Sequence, residues 1–165
     1  MDHVVRIDGD NGAAFAITVI EASGLTPELV HTILDIDLQT FAEGTFSAYT
    51  GAVFLQHGRV FLLRADEETI GTAVCMRSWA DPREATLVAM GIRPGWRGQG
   101  LGQRFIAGVM QLLRSAELQR VSLMVGAGNK RAIRVYRDVG FVVDGEHQAD
   151  PRGGESLLTM RATLR

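Results

Sequence analysis

One cysteine and one lysine stand among 165 residues, and each scarcity narrows the chemistry. A lone Cys75 excludes an internal disulfide. It sits in the apolar run Thr72 to Met76, where a buried, inert thiol is expected rather than a reactive one. Lys130 is the only lysine among 17 basic residues, so positive charge is carried by arginine, which grips phosphate with a two-pronged fork. The net charge of −2 lacks the basic excess that general nucleic-acid binding needs. No apolar run reaches the ~18 residues of a membrane span. Met1-Asp2-His3-Val4-Val5-Arg6 has no basic stretch followed by an apolar one, so no secretory signal is expected. These absences together predict a cytoplasmic protein. His3, His31, His57 and His147 are scattered, no Cys/His/Asp/Glu set has ligand spacing, and no metal is expected. No G-x-S-x-G marks a nucleophile.

What is present is ordinary in bulk. Hydrophobic residues make up 46% and charged residues 22%, enough for one domain with its own core. Asp8 to Gly12 is a turn cluster between Val4–Ile7 and Ala13–Ile20, so residues 1–12 read as a short hairpin or a loose arm before a domain over 13–165. Phe15 to Ile20 reads as a strand. Thr26-Pro27-Glu28 opens a helix that Gly44 is expected to end, and Phe46 to Gln56 reads as a second helix. Strands are expected over 60–63, 70–76 and 86–92, with a turn at Asp66-Glu67-Glu68. A helix over 101–115 buries Phe105, Ile106, Val109, Leu112 and Leu113. After a strand over 121–125, Asn129 caps a helix that Gly140 closes. Strands over 141–143 and 157–160 flank a turn at 151–154. The order β-α-α-β-β-β-α-β-α-β-β predicts an α/β fold, one mixed sheet with helices on both sides.

The most specific feature is Arg97-Gly98-Gln99-Gly100-Leu101-Gly102, between an apolar strand and an amphipathic helix. Glycines let the backbone approach a ligand closely, and the first N–H groups of the helix point outward without partners. Such a turn suits a phosphate. The P-loop pattern GxxxxGK[ST] fails because no lysine follows. The spacing of Gly98, Gly100 and Gly102 is GxGxG, not the GxGxxG of a dinucleotide fold, and it lies past mid-chain. The pattern R/Q-x-x-G-x-G/A fits Arg97, Gly100 and Gly102.

At this point the chain resembles the GCN5-related N-acetyltransferase (GNAT) superfamily. Met90-Gly91-Ile92-Arg93-Pro94 matches the end of that family's fourth strand. Asn129, Ala132, Ile133, Tyr136, Gly140 and Phe141 match its N-x-x-A-x-x-x-Y-x-x-x-G-F segment. Within the family, Glu84-Ala85-Thr86-Leu87 and the Asn129-to-Phe141 segment read most like bacterial ribosomal-protein N-terminal alanine acetyltransferases. The resemblance is strong over 84–143 and weaker over 17–79 and 154–164.

The resemblance implies an acyltransferase that moves an acetyl group from acetyl-CoA to a primary amine by direct attack. It places the cofactor pyrophosphate on Arg97, Gly98, Gln99, Gly100, Leu101 and Gly102, with Arg104 and Arg137 as candidates for the outer phosphate. It lays the pantetheine arm on the backbone of Met90, Gly91 and Ile92, where Gly91 suits a bulge, and beside Asn129. Tyr136 is the expected acid: a phenol near ~10 keeps its proton at neutral pH and can present it to a leaving thiolate near ~8.5. The family's carboxylate positions hold Met124 and Thr86 here. Glu84 is therefore the expected base, acting through water, with Glu43, Asp81 and His147 as further candidates. The acceptor stays open between a protein N-terminus and a small-molecule amine, and so does the length of the acyl group. The oligomeric state is open too. A non-catalytic acyl-CoA-binding regulatory module is the alternative.

Overall fold

A computed structural model describes residues 4–6, 16–41, 44–148 and 154–165. Alternation along the strands explains its two-sided architecture. In β3 (Arg59–Ala65), Phe61 and Leu63 face one way while Val60 and Leu62 face the other. All four are buried, so both faces of this strand are covered, as period-two geometry requires for an apolar run.

The remaining elements follow in chain order. β1 (Val4–Arg6) and β2 (Ile17–Glu21) precede α1 (Pro27–Thr40) and α2 (Ala48–His57). β3 leads to β4 (Glu68–Arg77), β5 (Glu84–Ile92), α3 (Leu101–Ser115) and β6 (Arg120–Gly126). α4 (Lys130–Asp138), β7 (Val142–His147) and β8 (Leu157–Thr163) complete the fold. The eight strands form one sheet in the order β1-β2-β3-β4-β5-β6-β8-β7. Every pairing is antiparallel except β5 with β6, which α3 joins by a crossover. α3 and α4 bury Phe105, Ile106, Val109, Leu113, Ile133 and Tyr136 against one face. α1 and α2 bury Ile33 and Phe54 against the other. No helix among the described residues is long and apolar enough to cross a membrane.

Local chemistry sets the ends of the elements. Thr26 accepts from Leu29 N at 3.2 Å and Pro27 fills the first turn, so α1 starts where expected. It ends at Thr40, four residues before Gly44. The cause is Asp37, buried on α1, which accepts from the backbone N–H groups of Thr45 and Phe46 and from Thr45 Oγ1 at 2.5 Å. These bonds fold the chain back before another helical turn can form. α2 starts at Ala48 because Ser47 accepts from Thr50 N, which leaves Phe46 to pack edge-on against Phe54 with centroids 4.9 Å apart. β7 and β8 are longer than expected, because they pair with each other from Val142↔Arg161 to His147↔Leu157. Val4–Arg6 pairs with Thr18–Ile20 as an edge strand. The predicted turn at Asp8–Gly12 and residues 151–153 of the later one lie outside the described residues.

Candidate active site

The site begins where two strands part. β5 and β6 are in parallel register only from Glu84↔Arg120 to Leu87↔Leu123. Against β4, Val74 faces Ala89 and Cys75 faces Leu87, so Val88 is an extra residue in β5. A bulge bends the strand that carries it. Beyond it, β5 has no ladder partner on its β6 side among the described residues, and its backbone is left facing a cleft of about 620 Å³. The bulge is thus at Val88 and not at Gly91, as the sequence suggested. Gly91 serves a different need: an added Cβ would collide with Thr40 Oγ1 and come within 3.1 Å of Thr40 Cβ and 3.3 Å of Ile36 Cγ2. α1 packs so closely on β5 that any side chain here would have to displace Thr40.

The glycine turn forms the second wall. Gly98 and Gly100 take left-handed φ values of 80° and 72°, and open space surrounds the Cβ position of each. Gly100 is the N-cap of α3 and has no side chain to cap it. The first helical bond is from Arg104 N to Gly100 O, so the N–H groups of Leu101, Gly102 and Gln103 have no acceptor within the helix. These groups, with the helix dipole behind them, suit an anion.

The sequence-predicted residues separate into those that meet and those that do not. Met90, Gly91, Ile92, Arg97, Gly98, Gly100, Leu101, Gly102, Asn129 and Tyr136 all line the one cleft. Gln99 does not, and neither do Arg104 and Arg137; Arg131 and Arg134 of α4 supply the positive charge instead. Arg137 continues their spacing of three along α4, so spacing alone does not single out that pair. Arg97 has a bracing role in this structure. Its Nε donates to Ile92 O at 2.7 Å and its Nη2 to Gln39 O at 2.9 Å, which ties the turn to β5 and to the last turn of α1. Arg93 adds a second tie, to Asp35 Oδ2 at 2.5 Å. Salt linkage to Arg93 holds Asp35 below the ordinary carboxylate range.

Tyr136 is 9% exposed and its ring packs on Phe141 with centroids 5.6 Å apart. Burial pushes its phenol up to about 12, so it stays protonated through the physiological range. Its hydroxyl has no hydrogen-bond partner among the described residues, although the residue lines the cleft. Asn129 accepts from Ala132 N at 3.1 Å, the expected cap, and lines the cleft as well.

Glu84 lies elsewhere. It starts β5, six residues before Met90, roughly 20 Å away along the strand. There it is 8% exposed and paired with Arg120 at 3.6 Å and Arg161 at 3.4 Å. The structure therefore does not bring Glu84 to the cleft. Asp81 is held by Arg120 and by Arg83 at 3.5 Å, also at the far end. His147 is bonded to Thr159 Oγ1 at 2.9 Å. Glu43 lies outside the described residues. Thr86 shares a 3.2 Å contact with Ser122, and Met124 is 52% exposed on the same sheet face. Among the described residues no three His, Cys, Asp or Glu side chains could hold a metal.

The cleft fits a long ligand with a phosphorylated end. It offers an open strand edge, left-handed glycines with free space above them, unpartnered helix N–H groups and two arginines. Comparison with known proteins agrees with this geometry. The model of the acetyltransferase (GNAT) family matches residues 27–141. Two mycothiol acetyltransferases are similar in sequence. The one from Streptomyces coelicolor is 34% identical over 90 residues, covering 54% of this chain and 28% of that protein. The one from Nocardiopsis dassonvillei is 37% identical over 54 residues, covering 33% and 16%. The matched stretch is thus less than a third of either relative's length. Among solved structures, the ribosomal-protein-S18-alanine N-acetyltransferase from Escherichia coli has a TM-score of 0.75 at 21% identity, covering 88% of this chain and 94% of that one. A Bacillus subtilis acetyltransferase in complex with CoA has a TM-score of 0.69 at 13% identity, covering 89% and 98%.

Proposed function

Because the chain belongs to the acetyltransferase (GNAT) family, we propose that it transfers an acetyl group from acetyl-CoA to a primary amine, with the cleft between the end of β5, the glycine turn and α4 as its active site. The observation that carries this reading is the convergence of the open β5 edge, the glycine turn and Tyr136 on one cleft.

Acetyl-CoA supplies an activated thioester when bound. The N–H groups of Leu101, Gly102 and Gln103 hold the pyrophosphate, and Arg131 and Arg134 add charge. The free edge of β5 holds the pantetheine arm as an added strand would be held. A backbone N–H at Met90 or Gly91 faces the carbonyl oxygen as negative charge develops there. Tyr136 donates a hydrogen bond to the departing sulfur. With its phenol at about 12 and a thiol near about 8.5, full proton transfer from tyrosine is uphill by about 5 kcal/mol. The phenol therefore stabilises the sulfur as a donor while the proton is relayed from the amine. The acceptor is a protein N-terminus or a small-molecule amine. An α-amine near ~8 is already partly neutral at pH 7 and needs little help to attack.

Tyr136→Phe tests the reading. It should lower acetyl-CoA turnover about 100-fold while leaving coenzyme A affinity within twofold. Unchanged turnover would remove Tyr136 from the mechanism. Tight acetyl-CoA binding with no turnover across a panel of amines would favour the regulatory module.

A further inference from the structure

The positions where the family resemblance led us to look for a base hold Thr86 and Met124, and Glu84 is paired at the far end of β5. Another carboxylate lies beside the cleft: Glu155 accepts from the backbone N–H of Gly128, the chain neighbour of cleft-lining Asn129. Glu155, just before β8, lies over two glycines at the end of β6. An added Cβ at Gly126 would collide with Glu155 Oε2 and come within 2.9 Å of its Cδ. One at Gly128 would collide with Oε1, which accepts from Gly128 N. The segment is tied down next to it, with Ala127 N donating to Ser156 O at 2.8 Å and Gln148 Nε2 to Ser156 Oγ at 2.7 Å.

Strand direction places this carboxylate at the cleft end of the sheet. Leu87 and Leu123 are the last paired residues of β5 and β6. Beyond them the strands part, and Met90 and Gly126 both lie three residues further on, at the same end of the sheet. Val121, Leu123 and Val125 face the core that contains Tyr136, so Gly126 faces the opposite side. Glu155 and Tyr136 therefore lie on opposite faces of the sheet at this end.

We propose that Glu155 is the general base that takes the proton from the acceptor ammonium. The inference rests on the amine-acetyltransferase reading above. Glu155 accepts one proton and becomes a carboxylic acid, and the nitrogen lone pair that is freed attacks the acetyl carbon. The N–C bond forms and the C–S bond breaks. The sulfur leaves with the electron pair of that bond and takes a second proton from the same nitrogen, relayed past Tyr136. Glu155 then returns its proton to water. The two glycines make room for the carboxylate, and one bond from Gly128 orients it and leaves the other oxygen available. Among the described residues, Lys130 Nζ donates to Ala127 O at 3.0 Å, between the two glycines, and His147 on β7 pairs with Leu157, two residues from Glu155.

The test uses the whole chain, acetyl-CoA and two probe amines, 1,4-diaminobutane and an alanyl peptide with a free α-amine. Glu155→Gln keeps an oxygen for Gly128 N and loses only the basicity. It should cut kcat/KM for 1,4-diaminobutane about 100-fold at pH 7, with a smaller loss for the peptide. The gap should close as pH rises toward the amine's own pKa, while coenzyme A affinity and melting temperature stay unchanged. Gly126→Ala, which displaces the carboxylate without altering it, should show the same pH-dependent loss. Wild-type kcat/KM in Glu155→Gln with both amines at pH 7 would overturn the proposal. So would an equal loss for both amines at every pH together with weaker coenzyme A binding, which marks a structural brace. A wild-type protein that binds acetyl-CoA but acetylates neither amine would overturn the function itself, and the base with it.

Discussion

Replacing Gly91 by alanine adds a single methyl group at the tightest helix-to-sheet contact of the site. The new Cβ would occupy the space of Thr40 Oγ1, with Thr40 Cβ at 3.1 Å and Ile36 Cγ2 at 3.3 Å. Rotating Thr40 relieves the first contact but breaks its 2.7 Å bond to Ile36 O, worth about 1 kcal/mol. The two carbon contacts remain, and they move only if α1 shifts away from β5. Overpacking of this kind costs about 1–3 kcal/mol, which lowers the melting temperature by roughly 3–10 °C in a domain of this size. A shift of α1 also pulls on Gln39 O, where Arg97 holds the glycine turn, so coenzyme A should bind more weakly. Thr40→Ala removes the worst of the overlap, so the double variant should be more stable than the sum of the singles by about 1 kcal/mol. Thermal melts of the four proteins with coenzyme A titrations read all of this. A Gly91→Ala variant with wild-type stability and wild-type affinity would show that α1 does not seat on β5 as described.

Other perturbations probe separate parts of the account. Asp37→Ala leaves three donors of Thr45 and Phe46 without their acceptor and should cost about 3–5 kcal/mol, read as a drop in the urea midpoint, whereas Asp37→Asn should cost less than half of that. Burial raises Cys75 from 9 to about 12 and Tyr136 from 10 to about 12. In both cases the unfolded chain loses its proton first, so the stability they add is complete below pH 9 and is lost as pH rises toward 12. Urea midpoints should therefore fall steeply between pH 9 and 11, and Cys75→Ala should flatten the early part of that fall. The same burial predicts that iodoacetamide labels Cys75 at pH 8 only as fast as the protein opens.

Local signals in the chain carried far. Thr26-Pro27, Asn129 and the periodic run from Leu101 to Ser115 each announced a helix through a cap or an apolar stripe, because those signals are local in sequence. The glycine turn was legible for the same reason, since left-handed φ at Gly98 and Gly100 is something few other residues can supply. What stayed hidden depends on contacts between distant segments. Gly91 looked like a bulge because a strand glycine signals either a kink or a close neighbour, and only Thr40, 51 positions earlier, decides between them. The early end of α1 needed a buried Asp37 to reach forward to Thr45. The bracing bonds of Arg97 to Ile92 O and Gln39 O were not legible because they exist only in the folded chain. Glu84 was favoured as the nearest acid to an important strand, but a strand has two ends, and the cleft is at the other one. Glu155 has no motif around it. Gly126 and Gly128 were its one trace in the sequence, and they signify an approaching neighbour without naming it.

The most direct test of the central claim is a thermal melt of the full chain with acetyl-CoA, using NAD and ATP as controls. At 100 times its dissociation constant, a ligand that binds only the folded state stabilises it by about 2.7 kcal/mol, a rise of roughly 5–10 °C here. The account predicts that rise with acetyl-CoA and none with NAD. A rise with NAD, or no change with acetyl-CoA, would contradict it and leave the cleft between β5, the glycine turn and α4 without its proposed ligand.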